Sequence, residues 1–150
     1  MTEATAKQIA NTIICLSRQR GIEISNLKLQ KLLYYAQAWY LAIEGRPLFD
    51  EDIEAWVHGP VVASIFRDFK RYRWQPIDCE AEVVDSREIR NFVSNVIQRY
   101  GVFTATQLER LTHREEPWRA ARAGLPPDAS SRNIISKESM QRFYSTLLSA

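Results

Sequence analysis

Cysteine is scarce in this chain, which excludes a scaffold held together by disulfides. Only Cys15 and Cys79 occur among 150 residues, whereas small secreted domains of that type carry many closely spaced cysteines. We therefore expect two reduced, partly buried thiols. The first residues, MTEATAKQIANTI, hold early charges and lack an apolar signal segment, so the sequence predicts a cytoplasmic protein.

Histidine, glycine and long apolar runs are also in short supply. The two histidines and two cysteines form no CxxC or HxxxH pair, the close spacing by which zinc sites are usually recognised. The five glycines form no glycine-rich phosphate loop. No apolar run approaches the roughly 20 residues of a membrane span. We predict no metal site, no cofactor and no association with membranes.

An excess of one charge is lacking as well. The chain has 20 basic and 18 acidic residues, a net charge of +2, so nothing global attracts it to nucleic acid. What is present is ordinary globular composition, with 45% hydrophobic and 25% charged residues. A chain of this length can bury its own core, and we expect a single domain over residues 1–150.

Apolar residues recur mainly at helical spacing, three and four positions apart. This pattern predicts a mainly α fold, a compact bundle of about six to seven helices with a small β element. The predicted helices cover residues 5–19, 26–44, 60–72 and 86–100, two short segments that begin near Thr104 and Pro117, and a last segment after Ser136. Apolar and polar residues alternate at 53–57 and 77–83, which predicts two short strands that could pair.

The predicted second helix is apolar on nearly every side and therefore belongs at the centre of the fold. Lys28 and Lys31, with the small Ala38 and Ala42, mark the one side expected to face water. Tyr35 lies on that side and is the tyrosine most expected to be exposed. Because interfaces favour tyrosine and tryptophan, we predict that Tyr35 contacts a partner.

Two segments contain histidine in settings where it could act as an acid or base. In His58-Gly59-Pro60 the glycine would let backbone N–H groups approach a ligand, but no partner carboxylate is evident, which favours a turn-forming role. His113 could pair with Glu116, two residues before Trp118. Since Glu115 and Glu116 precede a predicted helix start, where negative charge is favourable, a structural role is the stronger interpretation.

A cluster of basic residues lies near the end of the predicted third helix. It comprises Arg67, Lys70, Arg71 and Arg73, with Tyr72 and Trp74 between them. Basic residues interleaved with aromatic ones are typical of nucleic-acid surfaces. The same residues would also stabilise the C-terminal end of a helix. Contact between nucleic acid and Arg67, Lys70 and Arg71 is therefore a minor expectation.

Several segments carry a resemblance to a known family. They are KLQKLLYYAQAW at 28–39, GRPLF at 45–49, IEAWVHGPVV at 53–62, the block at 111–118, and the terminal segment 134–143. Together they resemble the SocA-like, or Panacea, domain family, which also includes phage-associated proteins. One departure is His58, which stands where many relatives have a tyrosine, and this lowers the expectation of histidine-based chemistry.

The resemblance implies an antitoxin of a toxin–antitoxin pair, which neutralises a cognate toxin by direct binding and is not an enzyme. The toxin would be encoded nearby. We expect its binding surface to involve Tyr35, Trp56, His58, Gly59 and Pro60. The alternatives are an adaptor that presents a partner protein to a protease and, less favoured, a nucleic-acid-binding regulator or an enzyme that uses a histidine. Homo-oligomerisation is left open.

Overall fold

The structure, a computed structural model that describes residues 2–148, is organised around helix α2 (Asn26–Glu44). The helix begins where the hydroxyl of Ser25 accepts a hydrogen bond from the backbone N–H of Lys28. It ends at Gly45, whose φ of 73° is the left-handed conformation that glycine adopts without strain. Elements from both halves of the chain pack against α2. The central position predicted for this helix is confirmed.

Six further α-helices lie within residues 2–148, so the mainly α prediction is confirmed. They are α1 (Ala6–Gln19), α3 (Ala63–Asp68), α4 (Arg87–Tyr100), α5 (Ala105–His113), α6 (Glu116–Ala121) and α7 (Lys137–Leu148). Local caps account for several helix starts: Thr104 and Gln107 form the capping box expected for α5. The third helix is shorter than predicted, because Pro60 lies in a strand and a 3-10 turn (Lys70–Tyr72) follows α3.

A three-stranded antiparallel sheet forms the small β element. Strand β1 (Ile53–Trp56) lies between β2 (Gly59–Val61) and β3 (Ile134–Ile135). The β1–β2 hairpin is tight, with Trp56 opposite Gly59. The sheet brings a segment near the end of the chain next to the hairpin.

The second predicted strand, at 77–83, is wrong. This segment runs beside α1, where the side chain of Arg18 donates to the carbonyls of Ile77 and Cys79 at 3.3 and 2.8 Å. Its alternating residues reflect one-sided packing: Ile77 is buried, and Cys79 and Ala81 pack partly against the core. Alternation therefore arises here without a neighbouring strand.

Polar side chains of α2 are buried because backbone groups of later segments satisfy them. Gln37 accepts from the N–H of Leu48 at 2.7 Å and donates to the carbonyl of Phe49 at 2.7 Å. Gln30 accepts from the N–H of Val62 at 2.9 Å. These side chains fix the paths of the GRPLF turn and the hairpin against α2, which explains why glutamine occurs in a buried helix.

The side of α2 expected to face water is also covered. Lys31 is only 1% exposed and Ala38 is fully buried. The Lys31 ammonium donates to the carbonyl of Pro60 at 3.2 Å. The prediction that Lys31 and Ala38 face water is wrong; for Lys31 the reason is that the hairpin packs on it and supplies a hydrogen-bond acceptor.

No helix within residues 2–148 combines the length and the apolar character needed to cross a bilayer. In the same part of the chain, no three His, Cys, Asp or Glu side chains cluster closely enough to hold a metal ion. Cys15 and Cys79 are free thiols and partly buried.

Candidate partner-binding groove

The hairpin turn explains the Gly59-Pro60 pair. Gly59 has φ of 106°, and a Cβ at this position would lie 2.6 Å from Cε of Lys31 and 3.1 Å from Oγ1 of Thr112. Only glycine lets the backbone approach α2 and α5 this closely. Gly59 and Pro60 are both buried. Within the fold their role is to place the hairpin, and their contact with a partner stays a prediction.

The same turn exposes His58 and gives it a carboxylate neighbour that the sequence did not reveal. Its Nδ1 lies 3.2 Å from Oε1 of Glu109 on α5. The imidazole is largely exposed, so this pair is weak by the standards of surface ion pairs. His58 thus lies at the surface, as predicted.

Trp56, at the end of β1, is held in a fixed orientation. Its indole N–H donates to Oε1 of Glu54 at 2.8 Å, and its ring meets Phe66 edge to face at a centroid distance of 5.1 Å. Glu54 is itself paired with Arg132 at 3.2 Å. A half-buried tryptophan already fixed in one orientation loses little conformational entropy when a partner covers it.

Two adjoining cavities, of about 450 and 960 Å³, lie between the β1–β2 hairpin and residues 66–74, and residues 130–132 also line the smaller one. Both are lined by Trp56, His58, Phe66 and Lys70. We refer to this space, from the hairpin to residues 66–74, as the cationic groove. Its half-buried apolar members are Leu27, Trp56 and Phe66.

Five exposed cations line the groove. Arg132 is one of them and is paired with Glu54, whereas the other four are Arg67, Lys70, Arg71 and Arg73. Among the ion pairs of residues 2–148, none involves these four side chains. The neighbouring carboxylate of Asp68 is paired with Lys7 instead, at 3.1 Å. The groove therefore carries a local positive charge that the nearly balanced composition conceals.

Trp74 marks the end of this segment and is 76% exposed. The residue before it, Arg73, has φ of 56° and ψ of −121°, a backbone conformation that costs a non-glycine residue roughly 1–3 kcal/mol. Strain of this kind tends to occur at functional sites. A strained turn that presents an indole to solvent favours a binding role.

The groove unites two sets of residues that the sequence suggested separately. Trp56 and His58 come from the hairpin, whereas Arg67, Lys70 and Arg71 come from α3 and the 3-10 turn. The sequence had not identified Phe66 as part of this surface. Phe66 repeats with the apolar face of α3, so its spacing resembles that of a core residue.

Tyr35 lies elsewhere, and the prediction that it is exposed is wrong. It is fully buried and stacks on Tyr100 at a centroid distance of 3.9 Å. Its hydroxyl donates to Oε1 of Glu115 at 2.9 Å, and so does the hydroxyl of Tyr144 at 2.9 Å. Burial raises the pKa of Glu115, while the two tyrosine hydroxyls favour its ionised form. The carboxylate explains how these hydroxyls can be buried.

His113 and Glu116 line the same cavity but have separate partners. His113 stacks on Trp118 at a centroid distance of 3.9 Å, and burial lowers its pKa. Glu116 accepts from Arg142 at 3.0 Å. Trp118 is buried and its indole N–H donates to the carbonyl of Trp56 at 2.9 Å. This segment supports the hairpin from behind, in agreement with the structural interpretation.

Comparisons with known proteins identify the family of this chain. Residues 29–119 match the family described as "Antitoxin SocA-like, Panacea domain". The chain is also 32% identical over 127 residues to the protein named Antitoxin SocA from Caulobacter vibrioides (strain NA1000 / CB15N). That similarity covers 75% of this chain and 68% of the relative. No solved structure matches the chain.

Proposed function

The chain belongs to the family of SocA-like antitoxins with a Panacea domain, and from this premise we propose that it neutralises a cognate toxin by binding it directly. An antitoxin of this kind needs a surface and no chemistry of its own. The observation that carries the proposal is the cationic groove, where an exposed indole and cations without carboxylate partners lie together.

The histidines favour binding over catalysis. A hydrolase that forms a covalent intermediate places a hydroxyl or thiol nucleophile beside its base, whereas His58 meets a carboxylate and His113 meets an indole. The buried ammonium of Lys31 faces a backbone carbonyl. These contacts hold the hairpin in place, and we propose that this protein is not an enzyme.

The test is to purify the tagged protein from its own host and to identify by mass spectrometry the proteins that co-elute. We expect one near-stoichiometric partner that arrests growth when expressed alone and is harmless when expressed with this protein. The purified pair should run as one complex in size-exclusion chromatography with light scattering, which also reports the oligomeric state.

Two results would contradict direct neutralisation. The first is a purified protein without any partner under conditions in which the cells tolerate the toxin. The second is a toxin that disappears when this protein is present and reappears when the host's ATP-dependent proteases are inactivated. That second result would point to an adaptor that delivers the toxin for degradation.

A further inference from the structure

We propose that the cationic groove takes an acidic segment of the toxin, with a large apolar side chain of that segment inserted between Trp56 and Trp74. The inference rests on the proposed function and adds the chemical class of the bound segment. Two independent features of the groove support it, one electrostatic and one apolar.

The electrostatic feature is the set of cations around a single cavity. Lys70, Arg71 and Arg73 all line the cavity of about 960 Å³, and Arg67 lines the adjoining one. Like charges this close repel one another unless an anion lies between them. Carboxylates of a partner would relieve this repulsion, speed association and fix the register of the segment.

The apolar feature is the space between two indoles. Trp56 is fixed by Glu54 and packs on Phe66, while Trp74 lines the same cavity and is exposed. Cavities of roughly 300–1,000 Å³ accommodate compact ligands. Tryptophan is the residue most enriched among those that dominate binding energy at interfaces. An apolar side chain in this space would bury both indoles.

The carboxylates at the hairpin end favour a protein segment over nucleic acid. Glu54 contacts Trp56, and Glu109 contacts His58. A polynucleotide carries a phosphate at every step and would bring some of them near these carboxylates. A peptide can place its acidic residues beside Lys70 and Arg71 only, and an apolar residue beside Trp56.

The experiment measures the affinity of the full-length protein for the co-purified toxin by titration calorimetry. We expect the double variant Lys70→Glu/Arg71→Glu to weaken binding about 30-fold or more at low salt, and Trp74→Ala to weaken it about 10-fold or more. The matched control is Arg87→Glu/Arg110→Glu, which reverses two exposed cations outside the groove and should change the affinity less than about 3-fold. Thermal unfolding of each variant shows whether it is folded.

A charge swap between the groove and the toxin tests the electrostatic part of the proposal most directly. Cross-linking of the complex identifies the toxin segment near the groove, and replacing its acidic residues with lysine should restore binding to Lys70→Glu/Arg71→Glu. In parallel, fluorescence anisotropy with a labelled single-stranded DNA of about 20 nucleotides, at about 50 and 200 mM salt, tests the nucleic-acid alternative.

Each outcome has one meaning. If the wild-type protein neutralises the toxin and both groove variants bind it as tightly as the control, the acidic-segment inference is wrong while the proposed function stands. If DNA binding is lost in the groove variants and toxin binding is not, the groove is a nucleic-acid surface. If no toxin binds the wild-type protein, the proposed function fails, and the inference fails with it.

Discussion

Two aromatic regions of this molecule have similar composition and opposite character. The inner cluster consists of Tyr34, Tyr35, Trp39, Tyr100 and Tyr144, all of them buried. The cationic groove presents Trp56, Phe66 and Trp74. Both regions also contain ionisable groups. Aromatic content alone therefore does not distinguish a core from an interface.

The difference lies in how the polar groups are satisfied. In the inner cluster, one oxygen of Glu115 accepts from Tyr35 and Tyr144, and the indole of Trp39 donates to Tyr100 at 2.7 Å. In the groove, Arg67, Lys70, Arg71 and Arg73 have no ion-pair partner in residues 2–148. Buried polar groups that are hydrogen-bonded indicate a complete core, whereas exposed cations without ion-pair partners beside accessible aromatic rings indicate a binding surface.

The strongest test of this comparison is Tyr144→Ala in the inner cluster. The Tyr144 ring meets Trp39 edge to face at a centroid distance of 5.0 Å, and its hydroxyl bonds Glu115. We expect the free energy of unfolding to fall by about 4 kcal/mol, the usual cost of removing a large buried aromatic ring. Urea denaturation followed by circular dichroism measures it.

Tyr144→Phe is the matched control, because it keeps the ring and removes only the hydroxyl. Its expected cost is about 1–2 kcal/mol, because the hydroxyl bonds both Tyr34 and Glu115. If Tyr144→Ala cost no more than Tyr144→Phe, the ring would contribute nothing by packing and the inner cluster would not be a core.

A second test uses the contrast between buried Lys31 and exposed Lys70. Burial lowers the pKa of Lys31 to about 7, and Glu109 opposes this effect in part. Between that pKa and the ordinary value of 10.5, the unfolded chain binds a proton that the folded protein has released. Raising the pH from 7 to 9 should therefore stabilise the fold, by about 2 kcal/mol from this residue.

Lys31→Met should remove this part of the pH dependence, because methionine fills similar space without a charge. The measurement is the free energy of unfolding at several pH values for both proteins, since all other titrating groups cancel in the difference. Lys70→Met is the control and should leave the slope unchanged. Equal slopes for Lys31→Met and the wild-type protein would mean that Lys31 is not buried as described.

The boundaries of the elements were predictable where local chemistry sets them. Ser25 and Gly45 delimit α2, and Thr104 with Gln107 starts α5, because caps act within a few residues. The false strand at 77–83 shows the limit of such reasoning. Alternation of apolar and polar residues shows which side chains are buried. A strand also needs a second strand beside it to accept its hydrogen bonds, and this segment lies beside helix α1 instead.

The candidate site was predicted in two halves, and one predicted member, Tyr35, lies outside the groove. Trp56 and the basic residues were identified, yet only the hairpin geometry joins them in one groove. Tyr35 was wrongly predicted to be exposed, because the acceptor of its hydroxyl hydrogen bond, Glu115, lies 80 positions away in sequence. Its burial depends on long-range contacts with Tyr100 of α4, Glu115 and Tyr144 of α7, which the periodicity within α2 does not reveal.

A third test changes the charge within the inner cluster without changing its shape. Burial raises the pKa of Glu115 above its ordinary value of 4.5, so the folded protein holds a proton more tightly than the unfolded chain does. Stability should therefore decline as the pH rises from about 4.5 through the raised pKa. Glu115→Gln should abolish that decline, because an amide does not titrate.

At pH 7 we expect Glu115→Gln to be as stable as the wild-type protein, or more stable by up to about 1 kcal/mol, since the amide oxygen still accepts both hydroxyls. Chemical denaturation at pH 5 and pH 7 measures the difference. A large loss of stability in Glu115→Gln at both pH values would show that the negative charge of Glu115 stabilises the cluster. Burial of the carboxylate predicts the opposite.

The smallest expected effect comes from the groove. Trp74 is 76% exposed, so Trp74→Ala removes little packing and should change the free energy of unfolding by less than about 0.5 kcal/mol. The same denaturation experiment that detects Tyr144→Ala detects this contrast between two aromatic side chains of one protein. A loss of more than about 1 kcal/mol in the free energy of unfolding would mean that the indole is part of the core. The distinction between the inner cluster and the cationic groove would then fail. A negligible loss in stability together with weaker toxin binding would instead assign the indole to the partner, because a residue that the fold does not need is free to serve an interface.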